Sequence, residues 1–345
     1  MDGPQNHVWF RPVRGDPPHG LKIGNAWPGF SQVDVLRRGA APERLPVDAV
    51  TALWPEAETV LAKATAPRGE FAGVDLCRPR VMGIVNTTPD SFSDGGQLAD
   101  ADAAIRHALS LVDAGADFLD IGGESTRPGA EPVGAAQEVD RVLPVIEGLI
   151  ANGCAVPISI DTRKAAVARA ALGAGARIVN DVSALTYDSE MADIAAKADG
   201  ICLMHAQGDP RTMQQDPRYD DVLLDVFDYL SGSVSTALAN GIAPSRVLID
   251  PGIGFGKTVQ HNLALIDGIG LFHGLGCPVL LGVSRKGFIG RLSGEEIAAN
   301  RAPGSIAAGL AGVAAGVQVL RVHDVWETVQ ALRVWSALSE GTNDA

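Results

Sequence analysis

The stretch D-A-G-A-D-F-L-D at residues 113–120 returns in altered form as G-A-G-A-R-I-V-N at residues 173–180. In each copy an amphipathic segment stops at a glycine, Gly115 or Gly175, and turns into a short apolar run closed by a polar side chain, Asp120 or Asn180. Outward from these copies the same unit recurs. V-M-G-I-V ends at Asn86, P-I-S-I at Asp161 and G-I-C-L-M at His205. R-V-L-I ends at Asp250, P-V-L-L-G-V at Ser284 and Q-V-L-R-V at His323. Continuous apolar strands alternating with helices predict a parallel sheet covered on both faces. Eight such units in one domain predict an α/β fold, an eight-stranded parallel (β/α) TIM barrel with its functional site at the C-terminal strand ends.

The intervening segments carry helical periodicity. Ile105, Ala108, Leu109 and Val112 line one face, with Asp100 or Asp102 as the expected cap and Gly115 as the stop. Val139, Val142, Leu143, Ile146 and Ile150 repeat the pattern, and Pro144 is expected to kink or shorten that helix. Residues 1–78 differ: they are rich in Pro and Gly, hold Trp9, Trp27 and Trp54, and offer one candidate helix, Val47 to Lys63, around Pro55. They are expected to form an N-terminal extension of unassigned role before a catalytic barrel over residues 79–345.

The chain has 345 residues, 46% of them hydrophobic and 20% charged, the balance of a globular protein. Lys and Arg total 28 against 41 Asp and Glu, so the net charge is −13. That acidity argues against a broad nucleic-acid or anionic-membrane surface. An anionic substrate would need a local cluster of cations. Cys77, Cys154, Cys202 and Cys277 are scattered without a C-x-x-C pair, so reduced thiols in a cytoplasm are expected. The opening residues show no signal peptide. The small-apolar stretch Ser305 to Leu320 reads as a buried helix running into a buried strand rather than a membrane span.

Chemistry concentrates in the loops after the strands. The first, N-T-T-P-D-S-F-S-D-G-G from Asn86, carries Asp90, Asp94 and a Gly-Gly hinge suited to folding over a ligand, although a plain surface loop has the same composition. The second, G-G-E-S-T-R-P-G-A from Gly122, offers Arg127 as a fork for carboxylate or phosphate, or as a partner of Glu124 or Glu131. Asp161, Asn180 and Asp250 would project into one pocket, where two carboxylates and an amide suit the N–H, amino and ring-nitrogen edge of a pterin or purine. D-P-G-I-G-F-G-K, residues 250–257, is glycine-rich but lacks the context of a nucleotide-binding P-loop. Arg285, Lys286, Arg321 and His323 fall at the ends of strands seven and eight, the usual anion corner of such barrels, and are expected to supply the missing positive field.

Taken in order, M-G-I-V-N-T-T-P-D-S-F-S-D-G-G, D-I-G-G-E-S-T-R-P-G-A, I-S-I-D-T, I-V-N-D-V-S, L-M-H-A-Q-G, D-P-G-I-G-F-G-K, V-S-R-K-G and R-V-H-D resemble the motifs of bacterial dihydropteroate synthases from about Pro79 to the C-terminus. The resemblance implies a transferase of folate biosynthesis. It would condense 6-hydroxymethyl-7,8-dihydropterin pyrophosphate with p-aminobenzoate to give 7,8-dihydropteroate and pyrophosphate, and it would be a sulfonamide target. Asp161, Asn180, Asp250 and Lys286 would then hold the pterin, with Met204 along its face. Thr126, Arg321 and His323 would bind pyrophosphate, and Asn86 would hold Mg2+. Phe92, Arg127, Pro128 and Phe255 would shape the aminobenzoate site. Asp161, Asp250, Lys286, Arg321 and His323 would carry the catalysis. Only small-molecule partners are implied, with a homodimer in the cytoplasm. The pattern departs from the family at Thr87, a frequent Val, and at Gly287, a frequent Ser beside the aminobenzoate carboxylate, where a backbone N–H would have to serve. A methyltetrahydrofolate–corrinoid methyltransferase would share the pterin pocket but need no pyrophosphate corner. A non-catalytic pterin-binding paralogue would be expected to lose loop or anion residues.

Overall fold

The computed structural model describes residues 7–13, 21–24, 29–87, 97–125, 132–208 and 212–340. Its centre is an eight-stranded parallel sheet. The strands are β1 (Arg80–Asn86), β2 (Phe118–Gly122), β3 (Ile158–Asp161), β4 (Ile178–Asp181), β5 (Gly200–Met204), β6 (Val247–Asp250), β7 (Leu280–Leu281) and β8 (Val319–Val322). Neighbours run β6-β5-β4-β3-β2-β1-β8-β7, and a parallel bridge between Ile249 and Val279 joins β6 to β7, so the sheet closes on itself. The expected barrel is therefore the observed one.

Side chains alternate across each strand, and the inward set changes character from bottom to top. Met82, Phe118, Ile178, Cys202, Leu248, Leu280 and Val319 form the apolar base of the interior. Two residues further along their strands stand Asp120, Asn180, Met204, Asp250 and Arg321. A dry base under a polar top confines the chemistry to the C-terminal mouth. The short hairpin Glu70–Phe71 and Val74–Asp75, N-terminal of residue 79, plugs the base: Phe71 and Leu76 belong to the same cluster. Phe71 stacks edge-on against Phe118 at 6.0 Å. It fits only because Gly200 has no side chain, since a Cβ there would lie 2.4 Å from the ring.

Helices cover the outside. The helix expected around Ile105 to Val112 runs from Gln97 to Asp113, so Asp100 and Asp102 lie within it and neither is the cap. Gly115 and Gly175 both take positive φ, 99° and 111°, which explains the repeated glycine that began the sequence reading. Pro144 does not shorten its helix, which runs unbroken over Ala135–Ala151. Val142, Val145, Ile146 and Leu149 are buried along it. Burial of that face outweighs the one hydrogen bond a proline forgoes. Ser305 to Leu320 is, as expected, helix Ala302–Ala314 running into β8. Among the described residues one helix, Val222–Ala239, is long and apolar enough to cross a membrane by length and composition alone. Leu224, Val226, Leu230, Val234 and Ala237 are buried along it, and Asp221 caps its start.

Residues before the hairpin have more structure than their composition suggests. Strands Trp9–Val13, Gln32–Leu36 and Glu43–Pro46 form an antiparallel sheet. The single candidate helix is two, Val47–Leu53 and Pro55–Thr65, because Pro55 starts a new helix instead of continuing the old one. One sheet face packs Phe10, Val33 and Val35 against Val50, Ala57 and Leu61. At its other face Trp9 and Leu36 meet Leu224 and Leu271 of the barrel. Trp9 also donates to Asp228, and Arg38 pairs with the same carboxylate.

Candidate active site

Asp161 and Asp250 end β3 and β6, Asn180 stands one residue before the end of β4, which runs on to Asp181, and the parallel register sets Asp161 beside Asn180 and Met204 beside Asp250. The pocket the sequence anticipates is therefore assembled at the barrel mouth. Gly252 donates to Asp250 Oδ1 at 2.7 Å, turning the chain sharply after β6. Only glycine serves there: φ is 68°, and a Cβ would meet the His205 carbonyl oxygen at 1.8 Å. Met204 is 3% exposed and forms the apolar floor between these polar groups.

Arg321 does not face the mouth as a free cation. Its Nε donates to Asp120 Oδ2 at 2.6 Å and an Nη donates to Asp161 Oδ2 at 2.7 Å. Arg285 is likewise held by Asp324. The open positive corner expected from the sequence is corrected here: both guanidiniums are matched by carboxylates, and for Arg321, inside the barrel, a buried charge needs such partners, whereas Arg285 is partly exposed. Asp120 is the residue the sequence reading missed. The apolar run was taken to end there, but β2 continues to Gly122 and puts Asp120 inside the barrel, fully buried. The period of two through Phe118, Asp120 and Gly122 was the available signal. Asp120 Oδ2 also accepts from Asn180 Nδ2 at 2.9 Å. That bond fixes the amide and leaves its oxygen to accept from a ligand.

The buried setting shifts these groups. Burial drives the Asp161 carboxyl up to about 7, with Arg321 pulling down and Asp120 pushing up. Burial likewise raises Asp250. Lys286 falls to about 8 through burial and the neighbouring Arg321 charge. For Arg321 burial disfavours the charge, but Asp120 and Asp161 more than offset it, so the guanidinium is a permanent cation. His323 is driven to about 3 by burial and then by Arg321 and Arg285, so it is a neutral imidazole; its Nδ1 lies 3.0 Å from Ser284 Oγ.

Lys286 reaches its place through a strained residue. Arg285 has φ of 57°, braced by its N–H on Ser305 Oγ and its carbonyl on Arg301. Left-handed backbone at a bulky residue is costly and is found where geometry is over-determined. The Lys286 ammonium then lies 4.1 Å from the centre of the Phe255 ring, tying strand seven to the 250–257 loop. Gly287 opens helix Gly287–Ser293 directly after it.

Asn86 ends β1. A Cβ on Gly122 would lie 3.8 Å from both Asn86 Oδ1 and Asp161 Oδ2, so that glycine leaves room between two hard oxygen donors. Asp161 Oδ2 is already taken by Arg321, so Asn86 Oδ1 is the free hard donor of the two; a single amide oxygen fits Mg2+, which takes one or two protein oxygens and fills its shell with substrate phosphate and water. Among the described residues no cluster of three His, Cys, Asp or Glu forms a closed metal cage. Phe92, Thr126, Arg127 and Pro128 lie outside the described residues. At the root of their second loop, Glu124 is already engaged: it takes Lys164 at 2.9 Å and the Val133 N–H at 3.0 Å.

The model of the family described as pterin binding enzyme matches residues 82–323. Dihydropteroate synthase of Neisseria meningitidis serogroup B is 51% identical over 284 residues, 81% of this chain and 99% of the relative. Among solved structures, Xanthomonas albilineans dihydropteroate synthase with 4-aminobenzoic acid superposes with a TM-score of 0.74 at 48% identity, over 80% of this chain and 99% of that one. The Yersinia pestis dihydropteroate synthase in a sulfonamide drug complex gives 0.73 at 43% identity, over 78% and 97%.

Proposed function

The chain belongs to the dihydropteroate synthase family of pterin-binding enzymes, and on that premise we propose what its own side chains do in the reaction. The protein is a transferase of folate biosynthesis. It condenses 6-hydroxymethyl-7,8-dihydropterin pyrophosphate with p-aminobenzoate, giving 7,8-dihydropteroate and pyrophosphate. The polar ring of Asp161, Asn180 and Asp250 around Met204, joined by Lys286, is the observation that carries the assignment of roles. Asp250 and Asp161 accept from pterin N–H groups, Asn180 presents its oxygen, and Lys286 donates to a ring heteroatom.

The aniline nitrogen of aminobenzoate is a neutral nucleophile, so no strong base is required. The demanding event is loss of pyrophosphate from a methylene carbon, which we assign to an SN1-like path. Asp161 and Asp250 favour the positive charge left on the pterin, while Arg321, His323 and Thr126 receive the departing anion. His323 enters as a neutral imidazole whose ring N–H can donate to the departing anion while its other nitrogen meets Ser284. Asn86 would hold Mg2+, which supplies charge neutralisation to the leaving group. Phe92, Arg127, Pro128 and Phe255 would shape the aminobenzoate side, and the site would have to exclude the water that would otherwise trap the cation.

Steady-state turnover with both substrates tests this reading. Condensation should need Mg2+, and a sulfonamide should compete with aminobenzoate, since it carries the same aryl amine and an anionic group at the far end. No condensation, or inhibition purely non-competitive with aminobenzoate, would overturn it.

We also propose a homodimer in the cytoplasm. The four cysteines are unpaired. On the final helix, Val325–Glu340, Trp326, Val334 and Leu338 are 56%, 57% and 80% exposed and fall on one face, opposite Val325, Thr328 and Leu332. Such a stripe of apolar surface marks an interface. Trp326→Glu should turn a dimer into a monomer in sedimentation velocity; a wild-type chain that sediments as a monomer at tens of micromolar would refute the interface.

A further inference from the structure

Lys257 closes the D-P-G-I-G-F-G-K loop that Asp250 opens. It is 2% exposed, and among the described residues no carboxylate lies within ion-pair distance. Its ammonium instead meets His205 Nδ1 at 2.9 Å, the Phe255 carbonyl at 3.0 Å and the His205 carbonyl at 3.5 Å. Burial and then the Lys257 charge hold His205 down to about 3, so its neutral ring presents the Nδ1 lone pair as an acceptor. Burial also lowers Lys257, to about 7.

The surroundings hold this contact rigidly. His205 stacks edge-on against Tyr229 at 4.8 Å, and the Tyr229 hydroxyl donates to the Ser183 carbonyl at 3.0 Å. Tyr219 donates to the Gly256 carbonyl at 2.8 Å. Gly256 presses so close to the strand-five loop that a Cβ would lie 2.3 Å from the Gln207 carbonyl oxygen. One residue back, Phe255 meets the Lys286 ammonium. The amine of Lys257 therefore spans from the end of β5, which carries Met204, to the backbone of Phe255.

We propose that Lys257 and His205 form a latch that positions Phe255 for the second substrate, so that Lys257 is a positioning residue for aminobenzoate recognition. The inference rests on Phe255 standing at the aminobenzoate side. With the latch intact the ring waits in its binding geometry. Without it, binding the ring of aminobenzoate must also order the loop, and that cost falls on the second substrate alone.

Three variants of the full chain separate the possibilities: Lys257→Met, His205→Gln, and the two combined, with Phe255→Ala as the control. Lys257→Met should raise the KM for p-aminobenzoate about tenfold, with kcat and the KM for the pterin substrate changed less than about threefold. The double variant should be no worse than the more severe single one, since the two residues act as one contact. Lys257→Gln, which keeps two N–H donors, should restore most of the loss; if the Lys257→Met chain does not fold, His205→Phe, which keeps the ring against Tyr229 but removes the Nδ1 acceptor, takes its place with the same expected rise in the aminobenzoate KM. Equal rises in both KM values, or additive effects, would overturn the latch. If Phe255→Ala leaves aminobenzoate untouched, it is the placement of Phe255 that fails. If Phe255→Ala raises that KM while Lys257→Met and His205→Gln do not, the latch alone fails.

Discussion

Arg321→Ala should lower kcat/KM by on the order of a hundredfold to a thousandfold, the usual penalty for removing one donor aimed at developing anionic charge. The structure adds a second loss that the sequence does not announce. Arg321 is the counter-ion of Asp120 and Asp161, which are 0% and 12% exposed at the side chain. Taking one partner from a buried pair costs about 3–5 kcal/mol, because the charge left behind has neither water nor ion. Asp161, already driven up to about 7, should then be protonated at neutral pH. Its neutral acid no longer favours positive charge on the pterin, and Asn180 loses the anchored Asp120 that orients it. Loss of a pyrophosphate contact alone would spare free pterin binding; the observed network of Arg321, Asp120, Asp161 and Asn180 predicts that it weakens as well. Turnover, pterin affinity by calorimetry and the melting temperature should therefore fall together. Near-normal kcat/KM in the variant would remove Arg321 from the pyrophosphate role.

Stability should fall steeply as the pH drops from about 6.5 towards 3, and buried histidines are the reason. His205, His273 and His323 are each held near 3 by burial, reinforced by Lys257, by Arg68 and by Arg321 respectively. A histidine with a depressed folded pKa contributes stability that is complete above its unfolded value and is lost as the pH falls through the folded one. A shift of this size is worth at most about 5 kcal/mol per histidine. Asp161 acts in the opposite sense: a carboxyl raised to about 7 stabilises below its unfolded value and loses that contribution as the pH climbs through 7. Asp250 and Asp181, raised by burial, act in the same sense as Asp161, so the acid limb is carried by the three histidines, whose contribution is lost between pH 6.5 and 3. Lys257 and Lys286, lowered to about 7 and about 8, extend the rise in stability towards pH 10. Urea unfolding midpoints measured from pH 4 to 9 check the whole curve. A midpoint that is flat between pH 4 and 7 would mean that these histidines are not buried in neutral form.

How much of this was written in the chain depends on the distance over which each property is decided. The alternation of apolar run, polar stop and glycine-ended helix is local, and burying parallel strands on both faces leaves few alternatives to a closed barrel. Asp161, Asn180 and Asp250 were legible for the same reason: a polar residue at the end of a buried strand has to point out of the barrel mouth. Local signals erred where burial overrode them. Pro144 sits inside an unbroken helix because four apolar side chains bury along it. Asp100 and Asp102 stand inside a helix that starts earlier.

Sequence by itself determined the barrel, the strand ends and the kind of molecule the mouth can hold, since these follow from periodicity and from the donors and acceptors each residue carries. Only the tertiary structure decided who pairs with whom. Arg321 and Asp120 are 201 residues apart, and Lys257 and His205 are 52 apart. The same Arg-Val-His-Asp motif could have offered a free cation to an anion or a neutralised one. The choice was made by two carboxylates that barrel closure brings within 2.7 Å. In a low-dielectric interior such pairing outweighs any intrinsic preference of the side chain, and a chain read in one dimension does not carry it.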